Sequence, residues 1–351
     1  MATEEYDLLR RSVREFSQKT IEPVAVKIEQ NGLGQETVDQ MAAQGFMGAR
    51  IPSEHGGSGL DELGYLIVLE ELARCSPSAA ARVLITNSLF APLLLRSGSA
   101  PDLLGEVASG KTNATVSFAV ALEGHGRGEG VTVAGSRAKG RLDFVLNANA
   151  SLLVGPTAGA DGKLLLLKGG FGPVEDYPRL GFKGLRFSAV QVDTGEFEVL
   201  ADGGPKILDD CLGAMDLDVA AVSLGIASGA LAKAVDYSRA RSTFEHPLKD
   251  YEPIAFGLSL LRSEEEMLRG FLYAPNMPAE GRTMAKVRGM ALARDATKQA
   301  LQVHGGYGYF EDFGVEKFYR DAMALSILFG RSSKDLRRLS EAVYGSRAGF
   351  L

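Results

Sequence analysis

Three stretches of different hydrophobic period follow one another along this chain, and their order limits the folds open to it. From Thr3 the apolar positions Tyr6, Leu9, Val13 and Phe16 recur at three and four, which marks one buried helix face. Between about Thr115 and Leu200 the pattern changes to short apolar or β-branched runs punctuated by glycine: ATVSFAVAL, GVTVAGS, FVLNAN, ASLLVGP, KLLLLKG, LRFSAVQVD and FEVLAD. Such runs predict short strands in a small antiparallel barrel or sandwich. From Asp216 the helical spacing returns, with Leu217, Ala221, Leu224, Ser228, Leu231 and Val235 at steps of four and three. That seam, followed by helical segments near Tyr251 to Phe271, Pro278 to His304 and Val315 to Tyr344, predicts a four-helix bundle, with Gly225 and Gly229 letting a neighbouring helix come close. The expected class is α+β: an N-terminal all-α unit over 1–113, a middle β barrel or sandwich over 114–202, and the C-terminal bundle over 203–351.

Within the first unit, a helix of roughly Glu36 to Gln44 stops at Gly45, and IPSEHGGSGL (Ile51 to Leu60) is a loop by its proline and glycines. The apolar helix that follows is broken at Ser76-Pro77. A length of 351 residues calls for two or three packed units, and 45% hydrophobic residues supply their cores. The net charge of −6 and pI near 5.5 argue against a nucleic-acid or anionic membrane partner. Cys75 and Cys211, far apart in sequence, suit a reduced compartment, and no metal-ligand spacing is present. The N-terminus shows no apolar signal core, and no apolar run reaches the length of a bilayer span, so the expected localisation is cytoplasmic.

The densest motif is QVHGGYGYFEDFGVEKFYRD, Gln302 to Asp321. Paired glycines, Gly305 and Gly306, end a helix there and can bring bare backbone close to another body. The string Q-V-H-G-G-Y-G-Y followed by K-F-Y-R-D-A resembles the C-terminal signature of the acyl-CoA dehydrogenase family, Q-x-x-G-G-x-G-[YF] and then YRDA. The likeness extends over nearly the whole chain. S-V-R-E-F, G-F-M-G-x-x-I-P-x-x-x-G-G-x-G-L and V-L-E-E-L-A-R follow the family's N-terminal domain, and RSTFEHPLKDYEPI is similar to R-x-x-F-G-x-P-L-x-x-F-Q-x-I.

What the resemblance implies is an FAD site shared between subunits, with an acyl-CoA as substrate. Arg241, Thr243 and Phe244 match the turn that contacts the FAD pyrophosphate and adenine across the subunit interface, where a guanidinium can clamp phosphate oxygens. Gln302, Gly305 and Gly306 would supply the other side of that groove. The stretch Leu84 to Leu95 would wall the acyl pocket. A homo- or hetero-tetramer containing a homologous subunit, and an electron-transfer flavoprotein as redox partner, follow from the same likeness.

The chain also departs from the family. Ala121-Leu122-Glu123 and GHGRGEG stand in place of the Thr-Glu-Pro loop and Gly-Ser-Asp, and the latter reads as a hairpin tip rather than a dinucleotide fingerprint. RLDFVLNAN occupies the region of the Trp-x-Thr beside the flavin, in a chain with no Trp. Glu245 replaces a glycine and Glu252 a glutamine. Removal of the α-proton needs a base, in the family a glutamate in a dry pocket. By register its usual position is Phe329, followed by Gly330, and its alternative position is Met215. Asp218, three residues on from Met215, and then Asp216 are the substitutes within reach; the ordinary role of aspartates there is to cap the helix or compensate its dipole. Of the histidines, His55 lies in a loop, His125 in the glycine tip, and His246 and His304 beside the groove motifs. Arg331, Lys334, Arg337 and Arg338 read as a solvated helix face or a CoA-phosphate contact.

Four functions remain open on these residues. The expected one is an acyl-CoA dehydrogenase-like subunit that shares its FAD site and depends on a homologous partner for the base. The others are an active homo-oligomeric dehydrogenase with Asp218 or Asp216 as base, a flavin-dependent monooxygenase on the same scaffold, and a purely structural interaction protein.

Overall fold

The computed structural model describes residues 3–118, 130–159 and 162–345; the Ala121-Leu122-Glu123 and GHGRGEG departures, up to Glu129, and with them His125, lie outside them. The first part is helical: α1 (Thr3–Phe16), α2 (Ala25–Asn31), α3 (Gln35–Ala43), α4 (Glu62–Ala73), α5 (Pro77–Leu84), α6 (Ala91–Ser97) and α7 (Pro101–Ala108). Two boundaries are set by local chemistry. The Asp61 side chain accepts the Gly64 amide at 2.9 Å and starts α4. Ser76 does the same for α5, accepting from Ala79 at 3.3 Å, and Pro77 sits in the first turn, where its missing N–H is not needed. A π-wound segment, Ile85–Phe90, carries α5 into α6.

The middle part is a sandwich of two four-stranded sheets. Its strands are β1 (Ala114–Val116), β2 (Thr132–Ala134), β3 (Arg137–Leu146), β4 (Leu152–Pro156), β5 (Leu164–Leu167), β6 (Phe171–Asp176), β7 (Phe187–Thr194) and β8 (Phe197–Ala201). The sheets run β1-β4-β5-β8 and β2-β3-β7-β6, with Leu142, Val145, Leu153, Leu165, Val190 and Val192 packed between them. The all-antiparallel expectation needs correction at one edge: β1 pairs parallel with β4, Ala114 opposite Leu152. Between those two strands the chain builds part of the other sheet, and such a crossover, unlike a hairpin, returns in the same direction. β4 and β5 are buried on both faces, which is why LLVGP and LLLL read as unbroken apolar runs.

The last part comprises α8 (Gly204–Gly213), α9 (Asp216–Ala240), the two-residue strands β9 (Ser242–Thr243) and β10 (His246–Pro247), α10 (Glu252–Leu272), α11 (Ala279–His304), α12 (Glu316–Leu328) and α13 (Ser332–Tyr344). Helices α9 and α11 form the centre of the bundle, with α10 and α12 packed on both. The expected single helix from Val315 to Tyr344 is two helices. Arg331 takes a left-handed φ of 48°, and a Cβ at Gly330 would stand 1.9 Å from the Ser326 carbonyl, so the chain turns after Phe329. Gly225 and Gly229 behave as their spacing predicts: a Cβ on either would lie 2.3 Å from a carbonyl of the α4 region, Glu70 and Arg74 respectively.

A second correction concerns apolar length. Pro77–Ser97 and Asp216–Ala240 are each long and apolar enough to cross a membrane, contrary to the sequence expectation, yet 89% and 83% of those windows are buried within the fold. They are its core helices. One apolar core, in which Leu69, Leu84, Leu146, Leu224 and Leu325 all take part, runs through all three parts of the chain. Buried Glu70 ties α1 to α4 and α10, accepting from Arg10 at 2.6 Å, Arg269 at 3.0 Å and Tyr273 at 2.7 Å.

Candidate functional site

The residues expected to hold an adenosine diphosphate gather at one end of the bundle. Phe244 and Glu245 form the turn between β9 and β10 with φ of 47° and 71°, a pairing typical of two-residue hairpins and one that explains why glycine is suited to the position Glu245 holds. Tyr251 donates to the Thr243 carbonyl at 2.7 Å and fixes the hairpin on the start of α10. The Arg241 guanidinium lies 5.8 Å from the Tyr307 ring, which joins the hairpin to the turn after α11. There Gly305 takes a φ of 57°, and nothing lies within 4 Å of a Cβ built on Gly305 or Gly306. Arg241, Gln302 and both glycines are exposed, Phe244 is 88% exposed and Tyr309 84%. A cation, bare backbone and exposed aromatic faces are thus presented outward, away from this chain's own core. That set suits phosphate oxygens and a purine ring.

Under this surface His304 stacks on Tyr237 at 4.2 Å, and its Nδ1 lies 2.8 Å from the Ala300 carbonyl. Burial pushes its pKa below the ordinary histidine value. A depressed folded-state pKa contributes stability that is present above the unfolded value, about 6.5, and lost as pH falls through the folded value. The parent is therefore expected to lose stability below about pH 6.5 more steeply than His304→Gln in paired thermal unfolding curves; parallel curves would refute that role.

The positions where a base is expected are sealed. Phe329 is 2% exposed and meets Phe118 edge to face, ring centroids 5.3 Å apart. Met215 is 1% exposed. Neither Asp216 nor Asp218 caps α9, whose N-cap is Met215 with no side-chain cap bond. Asp216 accepts from Thr283 at 2.7 Å and Lys286 at 3.2 Å, with Arg338 at 3.7 Å. Asp218 is buried beside Ser88 and Tyr65, whose hydroxyls lie 2.8 Å apart, with Arg50 at 3.7 Å. Burial raises the Asp218 carboxyl above its ordinary value, against the opposing pull of Arg50 and Ser88. A carboxylate of raised pKa is the right chemical type for a base. Sequence reading found Asp218 but not Arg50, Tyr65 and Ser88, which come from distant segments.

Other expectations resolve as follows. Leu84 to Leu94 are buried apart from half-buried Pro92 and run from the end of α5 through the π-wound segment into α6, while Leu95 is 38% exposed. In RLDFVLNAN, Phe144 stacks on Tyr177 with ring centroids 5.1 Å apart. Arg331 and Lys334 bind Asp209 at 2.6 and 2.7 Å, so this part of the basic run fastens α13 to α8. Both cysteines are buried free thiols.

Comparison with known proteins gives two matches to family models: residues 3–102 to "Acyl-CoA dehydrogenase, N-terminal domain" and residues 202–344 to "Acyl-CoA dehydrogenase, C-terminal domain". The chain is 28% identical over 371 residues to 3-(aryl)acrylate reductase of Clostridium sporogenes, covering 94% of this chain and 96% of the relative. It is 29% identical over 370 residues to the caffeyl-CoA reductase-Etf complex subunit CarC of Acetobacterium woodii, with the same coverage. Its fold is similar to that of butyryl-CoA dehydrogenase from Megasphaera elsdenii, with a TM-score of 0.85 and 24% identity over 98% of this chain and 99% of that one.

Proposed function

This chain belongs to the acyl-CoA dehydrogenase family, FAD-dependent oxidoreductases acting on CH–CH bonds, and from that premise we propose that it is a subunit which completes the FAD site of a homologous partner carrying the catalytic base. One contrast carries the reading: the groove residues stand open on the surface, whereas both base positions are buried and apolar. Arg241 would hold the pyrophosphate, and Gly305 and Gly306 would admit it to within backbone reach. Phe244 and Tyr309 offer faces for the adenine. When bound, FAD supplies the two-electron exchange at the Cβ position of an acyl-CoA thioester; the α-proton is handled by the partner's base. An electron-transfer flavoprotein is the proposed redox partner, in line with the name of the Acetobacterium relative.

The test is a reconstitution. The chain is purified alone and together with a homologue that has glutamate at the place of Phe329, and flavin absorbance and its bleaching by acyl-CoA are recorded. Bleaching is expected only in the mixture, and Arg241→Ala in this chain should weaken flavin retention about 10- to 100-fold, as loss of a charge-assisted bidentate contact does. Bleaching by the homomer at the rate of the mixture would refute the proposal. If that homomer activity then vanished in Asp218→Asn, it would pass to the second reading, which the burial and raised pKa of Asp218 favour: a homo-oligomer with a relocated base.

A further inference from the structure

A cleft of about 530 Å³ lies between the α2–α3 corner and the strand ends of the β part, and none of the groove or base-position residues lines it. Its wall includes Arg82, which projects from α5, is 1% exposed, and is a buried cation with no carboxylate partner among the described residues. Both of its hydrogen bonds among the described residues come from Nη1, to Thr86 Oγ1 at 2.7 Å and the Ala114 carbonyl at 3.2 Å, which leaves Nε and Nη2 without a partner among those residues. Burial pushes its pKa down to about 10, so it stays charged at neutral pH. A buried charge without a counter-charge is expensive, and chains keep one where a ligand neutralises it.

The remaining charges on the wall do not neutralise it. Glu29 is engaged by Ser78 at 3.0 Å and Arg320 at 3.2 Å, and Asp176 by Arg186 at 2.7 and 3.1 Å. Arg179 spends Nη2 on the Lys183 carbonyl at 2.9 Å, while its Nε is buried with no partner among the described residues. No ion pair of Lys183 occurs among the described residues. None of the three cations Arg82, Arg179 and Lys183 forms an ion pair among the described residues, although Asp176 and Glu29 lie near enough to Arg179 to oppose the effect of its burial. Asn113 and Asn149 also line the cleft, while the Asn147 amide is committed to Asn113 Oδ1 at 2.9 Å and the Ala114 carbonyl at 3.3 Å. A carboxylate offers two acceptor oxygens; the donors here exceed two and come from several directions, which matches a tetrahedral oxyanion.

We propose that this cleft is a binding site for a small phosphate-bearing anion, inorganic phosphate or a phosphomonoester, held by Arg82 at its floor and by Arg179 and Lys183 at its rim. The site is independent of the flavin-sharing function, because its ligand is read without flavin or acyl-CoA. Equilibrium dialysis and calorimetry on the full chain, with inorganic phosphate, glycerol 3-phosphate and succinate at matched ionic strength, test it. Saturable phosphate binding is expected, at least about tenfold tighter than succinate and weakened about tenfold or more in Lys183→Ala and in Arg179→Ala. Lys206→Ala, on an exposed helix position, should bind as the parent does. Arg82→Gln should abolish binding; if that variant does not fold, the two rim variants decide. Glycerol 3-phosphate binding tighter than inorganic phosphate assigns the site to a phosphomonoester, and the reverse order to free phosphate. No saturable phosphate binding, equal affinity for succinate, or unchanged affinity in both rim variants would overturn the assignment.

Discussion

Lys286→Met is expected to lower the unfolding free energy by about 3–5 kcal/mol at pH 7.5, the cost of breaking a buried ion cluster from one side. Lys286 projects from α11 and is fully buried between Asp216 of α9 and Asp335 of α13. Its Nζ is 3.2 Å from Asp216 Oδ1 and 2.7 Å from Asp335 Oδ2. Without the ammonium, two carboxylates face each other out of water. Burial already raises the Asp335 carboxyl, and only Lys286 opposes it strongly. An acid with a raised folded-state pKa contributes stability that is present at low pH and lost as pH rises through the folded value. The deficit of the variant should therefore shrink at pH 5 and widen toward pH 8. Urea unfolding at the three pH values checks this; a loss under about 1 kcal/mol, or a deficit that grows on acidification, contradicts it. The double variant Lys286→Met with Asp335→Asn should lose less than the single one, because one orphaned charge is gone.

The same cluster bears on function. Asp216 is occupied by Thr283 and Lys286, so it serves the joint of three helices and is poorly placed to take a proton from a substrate. Asp218, two residues on, has no such full set of partners, which is why it alone supports the reading of a relocated base.

How far the chain could be read in advance depended on the range of the interaction. Ser76 and Pro77 act within four residues of themselves, and they announced the break between α4 and α5. Gly225 and Gly229 announced a close helix crossing because absence of a side chain has few other uses mid-helix. The groove residues came from the resemblance to the family rather than from local spacing, and what the fold adds is that Arg241 and the Tyr307 ring after the glycine corner lie 5.8 Å apart. The break after Phe329 was not, since Gly330 is forced by the Ser326 carbonyl one turn earlier and apolar periodicity continues across it. Nor was the parallel pairing of β1 with β4, which depends on where an intervening strand pair goes. Arg50 with Asp218, Lys286 with Asp216 and Asp335, and Arg82 at the cleft each join segments far apart in sequence, and nothing in the spacing of charged residues marks such pairs.

Phe329→Glu places a carboxyl where the family register calls for one, and it is not expected to make the homomer a dehydrogenase. The phenyl ring it removes is 2% exposed and packs edge to face on Phe118, so loss of that contact alone should cost about 3–5 kcal/mol, the range for emptying a buried aromatic site. The new carboxyl would sit in apolar surroundings, which raise its pKa, and each unit of that rise adds about 1.4 kcal/mol once the group is forced to ionise. By the sign rule for a raised acid, the variant should be least deficient near pH 5 and most deficient near pH 8, a slope the parent does not share. At the pH where a base is needed, the side chain would be neutral or the fold strained. Chemical denaturation at pH 5 and pH 8, together with acyl-CoA bleaching of the flavin-loaded variant, separates the outcomes. A variant as stable as the parent at pH 8 that bleaches with acyl-CoA would mean that one side chain is all that stands between this chain and autonomous catalysis. A destabilised and silent variant, whose partner-dependent activity persists in the mixture, would mean that Phe329 has become part of the core and that the contribution of this chain to catalysis lies in the exposed groove at the other motif, Arg241 with Gly305 and Gly306.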